Sequence, residues 1–133
     1  MSPNTDKKKI LVVDDEEALV EALTARLQME GYQVLSAFTG EKGLQTAQVE
    51  KPDLIILDIF LPGEDGLAIL KKLKRPVDSK TGESSKTRQI PVLVLTGRGQ
   101  QMKDMFEMEE AAAFLTKPFE TQSLLSAIQK ILR

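Results

Sequence analysis

The chain has 133 residues, of which 18 are basic and 20 acidic, and it carries a formal net charge of −2. It contains neither cysteine nor histidine. This excludes disulfide bonds, thiolate and imidazole catalysis, zinc sites built on those ligands, and a phosphohistidine on this chain. The length suits one domain, and the nearly even charge argues against a broad basic surface for nucleic acid. Ionic chemistry must therefore come from carboxylates, hydroxyls, lysines and arginines.

Short apolar runs recur along the chain and predict buried strands. The first, third and fourth runs are continuous, as in strands that are covered on both faces. The second and fifth runs are weaker. In chain order, the predicted strands cover residues 10–13, 33–37, 54–57, 92–95 and 114–116.

Segments with the apolar spacing of helices follow these runs. The clearest are 19–27, with Gly31 placed as a helix C-terminal glycine, and 124–132, with Thr121 as its N-cap. Weaker helical patterns cover 41–50, 66–73 and 101–109. Strand and helix thus alternate five times, which predicts an α/β fold with a parallel sheet and helices on both faces. A barrel of eight such units would need roughly twice the length, so an open doubly wound sheet is favoured.

Two polar segments interrupt this pattern. We expect residues 1–9 to be a flexible N-terminal segment ahead of a single domain over 10–133, and residues 75–89 to form a long mobile loop. The apolar run after the lysines at 7–9 is too short for a signal peptide, and no stretch approaches the ~20 apolar residues of a membrane span. The sequence therefore predicts a cytoplasmic protein that has no membrane partner.

Polar or charged residues follow four of the predicted strands, at the edge of the sheet where ligands bind in open α/β folds. They are Asp14 and Asp15 after the first strand, Asp58 after the third, Thr96 and Gly97 after the fourth, and Lys117 after the fifth. Each has an ordinary structural explanation on its own, such as a helix N-terminus for the acidic pair or a turn for Asp58. Their joint occurrence at separate parallel strand ends favours a functional site.

The charges of this set indicate what it binds. Three carboxylates and one ammonium leave a net charge of −2, which a divalent cation would cancel. Ligation by oxygen alone selects a hard ion, and a few carboxylates with water suit Mg²⁺ better than Ca²⁺. The sequence therefore predicts a magnesium site that accepts a phosphoryl oxygen, with Lys117 and the Thr96 hydroxyl around that group.

Four segments closely resemble the signature segments of response regulator receiver domains, the CheY-like family. They are ILVVDD at 10–15, LIILDIFLPGEDG at 54–66, VLVLTG at 92–97 and FLTKPF at 114–119. They occur in the family's order, and the resemblance covers residues 9–132. It implies a single receiver domain with a flavodoxin-like (βα)5 fold and strand order 2-1-3-4-5.

The resemblance implies a phosphorylation site with a metal ion beside it. Asp58 looks like the phosphoacceptor, which would take a phosphoryl group from a histidine kinase or a phosphotransfer protein. Asp15 and Asp58 would hold Mg²⁺ directly, with the backbone carbonyl of Phe60 as a third ligand. Asp14 would act mainly through water. The implied function is a phosphorylation-controlled signalling switch of a two-component system or phosphorelay, and not an enzyme that acts on other substrates.

A second set of residues is implied to sense the phosphoryl group. Thr96 and the Gly97 amide would bind its oxygen atoms, and Lys117 would pair with it, beside a cis bond to Pro118. Phe114 lies at the position of the switch aromatic. We expect it to turn inward when Thr96 moves towards the phosphate, whereas a fixed core position for Phe114 is the alternative.

The partners follow from the same resemblance. The chain ends just past the last predicted helix, so we expect output through a downstream protein target without direct contact to nucleic acid. A second copy of the chain is a further expected partner, in a homodimer that forms on phosphorylation.

Two other functions use similar residues. An aspartate-nucleophile phosphohydrolase needs a second acid two positions after Asp58, where Phe60 cannot donate a proton. A flavin carrier needs a phosphate loop rich in Ser, Thr and Gly after the first strand, where the acidic run 14–17 would repel phosphate. The phosphohydrolase is retained as the alternative function.

Overall fold

The computed structural model describes residues 7–59, 61, 66–74, 86–97 and 111–133. The strands are β1 (Lys9–Val13), β2 (Gln33–Ala37), β3 (Leu54–Asp58), β4 (Val92–Thr96) and β5 (Ala113–Thr116). The α-helices of the described residues are α1 (Glu17–Met29), α2 (Gly40–Glu50), α3 (Gly66–Lys74) and α4 (Thr121–Ile131). A short 3₁₀-helix spans Lys86–Gln89.

The five strands pair in parallel, in the order β2-β1-β3-β4-β5. Both β3 and β4 are buried along their whole length, as their continuous apolar sequences predict for strands covered on both faces. This sheet confirms the predicted open, doubly wound fold with strand order 2-1-3-4-5. The helix predicted over 101–109 lies outside the described residues.

The sheet separates two hydrophobic cores, because successive side chains of a strand point to opposite faces. In β3, Ile55 and Leu57 join the core formed with α2 and α3. Leu54 and Ile56 join the core formed with α1 and α4. Packing on both faces fixes the carboxyl end of this strand, where Asp58 lies, relative to its neighbours.

Two helix ends can be compared with the sequence predictions. Gly31 follows α1 with a φ of 94°, a left-handed conformation that glycine adopts readily, so its prediction as the C-terminal glycine is confirmed. Thr121 is the first helical residue of α4, and the N-cap is Glu120, which makes no side-chain capping bond. The N-cap prediction was wrong because Thr121 already has the helical backbone conformation, one residue beyond the cap position. No α-helix among the described residues combines the length and the apolar character that crossing a bilayer requires.

The first strand, β1, begins at Lys9, which is the last residue of the segment expected to be flexible. Its backbone N–H donates a hydrogen bond to the Asp53 carboxylate at 2.8 Å. Its ammonium lies 3.4 Å from the Glu50 carboxylate. Lys9 also pairs with Gln33 of β2, so it belongs to β1 and not to a flexible segment.

The polar segment 75–89 ends in ordered structure. Residues 75–85 lie outside the described ones, but the 3₁₀-helix Lys86–Gln89 packs against α3. The buried Thr87 hydroxyl donates a hydrogen bond to the Leu73 carbonyl at 2.9 Å. The expectation of a mobile loop was therefore wrong for residues 86–89, because this bond fastens them to the end of α3.

Candidate functional site

The carboxyl edge of the sheet brings together charged residues from three strands. Asp58 ends β3, Asp14 follows β1 and Lys117 follows β5. Val13 pairs with Leu57, so Asp14 and Asp58 extend from adjacent strands at the same level. Asp14 is fully buried, and the Asp58 side chain is 5% exposed. Two neighbouring buried carboxylates require a positive partner, because an unpaired charge in the interior is strongly unfavourable.

Lys117 provides that positive charge. Its Nζ lies 2.9 Å from Asp14 Oδ2, 3.2 Å from Asp58 Oδ2 and 3.1 Å from Glu16 Oε1. An ammonium has three N–H donors, and three carboxylates surround this one. The peptide bond between Lys117 and Pro118 is cis, as the family resemblance implies.

The surroundings of Lys117 hold its side chain in the charged form. Burial alone would lower the pKa of this ammonium. Hydrogen bonds to Asp14 and Glu16, together with the charges of Asp14 and Asp58, outweigh burial and raise the pKa of Lys117 above its ordinary value. Lys117 therefore acts as a fixed cation and hydrogen-bond donor, not as a base.

The chain that leads from β1 into α1 is shaped by Asp14. The Glu16 N–H donates a hydrogen bond to Asp14 Oδ1 at 2.9 Å, a local turn typical of aspartate. Glu16 is the N-cap residue of α1, with φ −81° and ψ 98°. Asp14 thus uses one oxygen to fix this turn and the other to hold Lys117, and the turn leaves Glu16 within reach of the same ammonium.

Three carboxylates at this edge lie close enough to ligate one cation. One oxygen each from Asp14, Glu16 and Asp58 lies within 4.8 Å of the other two. A donor set of oxygens alone suits a hard divalent ion such as Mg²⁺. Together with Lys117 these groups carry a net charge of −2, which a divalent ion would cancel. The residues present therefore fit such an ion.

The structure brings together two of the four expected metal ligands, Asp14 and Asp58. Asp15, expected as a direct ligand, does not belong to the acidic group, and the third carboxylate of that group is Glu16. Glu16 was not among the residues predicted for the site, because only the first two residues of the acidic run 14–17 were given a metal-binding role. An aspartate two residues before an N-cap glutamate is the pattern that indicates such a turn. The carbonyl of Phe60 lies outside the described residues.

The expected switch pair lies on one face of the sheet, on adjacent strands. Thr96 is fully buried at the end of β4 and pairs with Thr116. Val94, two residues earlier in β4, pairs with Phe114, so Phe114 lies diagonally across from Thr96 on the same face. Phe114 is half-buried and packs against the core of α2 and α3. Beside them, Gly97 is exposed, and a Cβ added there would meet nothing within 4 Å.

Comparison with known proteins shows that the chain is similar to response regulators and their receiver domains. Residues 10–129 match the family model of the response regulator receiver domain. The alkaline phosphatase synthesis transcriptional regulatory protein PhoP of Bacillus subtilis (strain 168) is 38% identical over 127 residues, which cover 95% of this chain and 49% of that protein. The DNA-binding dual master transcriptional regulator RpaA of Synechocystis sp. (strain ATCC 27184 / PCC 6803 / Kazusa) is 37% identical over 127 residues, which cover 94% of this chain and 49% of that protein. The chain thus spans about half the length of these curated relatives.

Solved structures resemble the fold over nearly its whole length. A CheY-like response regulator receiver domain protein from Methanospirillum hungatei JF-1 superposes with a TM-score of 0.81 at 29% identity, over 96% of this chain and 94% of that one. Chemotaxis protein CheY4 of Vibrio cholerae superposes with a TM-score of 0.79 at 28% identity, over 95% of this chain and 99% of that one.

The relatives also bear on the expected partners. The name of the Synechocystis relative states that it binds DNA, and both curated relatives are named as transcriptional regulators. The expectation that this protein makes no direct contact with nucleic acid therefore has no support from its relatives.

Proposed function

This chain belongs to the response regulator receiver domain family, and from that premise we propose that it is a phosphorylation-controlled switch in two-component signalling. Asp58 accepts a phosphoryl group in a Mg²⁺-dependent reaction from the phosphohistidine of a histidine kinase or a phosphotransfer protein. The observation that carries the proposal is the position of Lys117 Nζ, 2.9 Å from Asp14 and 3.2 Å from Asp58, which are both buried carboxylates. Phosphorylation then changes the affinity for a downstream protein.

Asp58 is a better acceptor than Asp14 for two reasons. The Asp58 side chain is 5% exposed, whereas Asp14 has no exposed surface from which a donor could be reached. Both oxygens of Asp14 are also committed, one to the Glu16 N–H and one to Lys117. Phosphorylating Asp14 would break the turn that leads into α1.

The residues at this edge have separate parts in the transfer. An oxygen of Asp58 forms the new bond to phosphorus while the P–N bond of the phosphohistidine breaks, and the electron pair of that bond stays on the imidazole nitrogen. Lys117 donates charge-assisted hydrogen bonds to the phosphoryl oxygens. The Thr96 hydroxyl and the Gly97 N–H donate to the oxygens that face β4.

The metal would be held by the acidic side chains of this edge. Asp14 and Asp58 are the ligands that the acidic group supports, and Asp15 and the carbonyl of Phe60 are the further ligands expected from the family. When bound, Mg²⁺ supplies positive charge that offsets the repulsion between these carboxylates and the incoming phosphoryl group.

Labelling with radioactive acetyl phosphate tests the assignment. The wild-type protein should take up acid-labile label in Mg²⁺ and lose that ability in a chelator, and Asp58→Asn should abolish the label. Asp53→Asn is the matched control, because Asp53 is an exposed aspartate before the start of β3 and its replacement should leave labelling intact. Full labelling of Asp58→Asn would refute the proposal. Steady turnover of a phosphate ester would instead indicate the phosphohydrolase.

A further inference from the structure

The three carboxylates around Lys117 leave little capacity for a fourth acceptor. The ammonium has three N–H donors, and Asp14, Glu16 and Asp58 lie 2.9, 3.1 and 3.2 Å from it. A phosphoryl oxygen that approaches Asp58 needs one of these donors. One of the three carboxylates must therefore give up its contact before the new group can be held.

The three contacts differ in what their loss would cost. Asp14 is fully buried, so without Lys117 it would remain in the interior as an unpaired charge. Asp58 is still an anion while the donor approaches, and it must stay beside the ammonium that stabilises the transfer. Glu16 is 61% exposed, so water can replace the ammonium around its carboxylate. Glu16 is the partner that is released at the lowest cost.

The backbone around Glu16 keeps its carboxylate near the site after the contact with Lys117 has broken. Its N–H is fixed to Asp14 Oδ1 at 2.9 Å, and it sits at the N-cap of α1. Only the side chain has to turn. The contact with Lys117 can therefore open and close while the strand end and the helix stay in place.

We propose that Glu16 is a positioning residue that holds Lys117 in the unphosphorylated protein and releases it to the incoming phosphoryl group. This inference rests on the proposed function of Asp58. Glu16 then competes with the phosphoryl group for the same ammonium, and it slows phosphorylation. It is not a metal ligand in this scheme.

Two substitutions at Glu16 separate its contact from its charge. Glu16→Gln removes the charge, whereas Glu16→Asp keeps the charge on a side chain too short to hold Lys117. Glu17→Gln is the matched control, because it removes the same charge from the adjacent exposed residue in the first turn of α1. All variants are labelled with acetyl phosphate at saturating Mg²⁺, and the Mg²⁺ affinity of each is measured by calorimetry.

The expected increase in labelling rate is small because the contact between Glu16 and Lys117 is partly solvated. Glu16→Gln and Glu16→Asp should both label about 2- to 5-fold faster than the wild-type protein, the range for losing an exposed ion pair, and Glu17→Gln should label at the wild-type rate. The Mg²⁺ affinities of Glu16→Gln and Glu17→Gln should agree within about twofold, since a lost metal ligand would weaken binding by much more.

Several results would overturn the inference. Equal labelling rates for all three variants and the wild-type protein would show that the contact does not matter. An increase in Glu16→Gln alone would show that only the charge matters. Mg²⁺ binding at least about tenfold weaker in Glu16→Gln would show that Glu16 helps to hold the metal, directly or through another ligand, which this inference excludes. Asp58→Asn, run in parallel, distinguishes these failures from failure of the proposed function: label that persists in that variant overturns both.

Discussion

Replacing Lys117 with methionine should destabilise the protein in the absence of divalent cations. The substitution keeps a side chain of similar length but removes the ammonium from beside Asp14, which is fully buried, and Asp58, which is 5% exposed. Removing one partner of a buried ion pair costs about 3–5 kcal/mol. Because Lys117 is itself 19% exposed and its pair with Glu16 is solvated, we expect a smaller loss of about 2–3 kcal/mol.

Urea denaturation followed by circular dichroism measures this loss. The first series is run in a chelating buffer, because a divalent cation would offset the same carboxylates as the ammonium. Adding Mg²⁺ should then stabilise Lys117→Met more than the wild-type protein, since ligand binding to the folded state raises its stability. Lys130→Met is the matched control, because Lys130 is an exposed lysine in the last turn of α4 and its loss should cost under about 1 kcal/mol.

The pKa of Lys117 determines how the stability difference between the wild-type protein and Lys117→Met depends on pH. The pKa of Lys117 is higher in the folded protein than its ordinary value of 10.5. Its contribution to stability is therefore fully present below pH 10.5, and it is lost as the pH rises through the folded-state pKa. The free-energy difference between the wild-type protein and Lys117→Met should be constant from neutral pH to about pH 10 and should shrink above that. Equal unfolding midpoints for Lys117→Met and Lys130→Met in the chelator would refute this reasoning.

Two further predictions concern the switch pair and the polar segment. Phe114→Ala should be phosphorylated at the wild-type rate but lose most of the phosphate-dependent change in partner affinity. Its free energy of unfolding should fall by only about 1–2 kcal/mol, because the ring is half-buried. A Phe114 ring that does not move between NMR spectra recorded with and without beryllofluoride would contradict the switch. Deleting residues 77–84 should leave folding and labelling nearly unchanged, whereas Thr87→Val should cost about 1–2 kcal/mol because the Leu73 carbonyl loses its buried donor. Loss of Mg²⁺-dependent labelling in the deletion would show that the segment takes part in the site.

The sheet and the position of the site could be predicted from the sequence because both depend on burial and chain order. Strands covered on two faces must be apolar throughout, and β3 and β4 are. Parallel strands end at one edge, so the residues after three of them, Asp14, Asp58 and Lys117, had to meet there. No detail of side-chain geometry was needed for either conclusion.

What the sequence did not reveal depends on single hydrogen bonds. Glu16 reaches Lys117 because Asp14 accepts its N–H and turns the chain, and residue spacing alone does not distinguish this from a turn that presents Asp15. Thr87 lies in a segment whose composition is that of a loop, yet it is buried and donates a hydrogen bond to a carbonyl of α3. Local polar contacts of this kind decide which of several similar residues faces a site.

The energy of the proposed switch must come from the charged edge of the sheet and not from the aromatic ring. Complete burial of an aromatic side chain is worth at most about 1.5–3 kcal/mol, and Phe114 is already half-buried, so turning it inward gains only part of that. Moving a population from 1:99 to 99:1 requires about 5.5 kcal/mol. The remainder has to come from contacts that exist only with the phosphoryl group, made by Lys117 and Thr96. Because a ligand shifts an equilibrium between conformations, we expect a minor fraction of the unphosphorylated protein to have Phe114 turned inward.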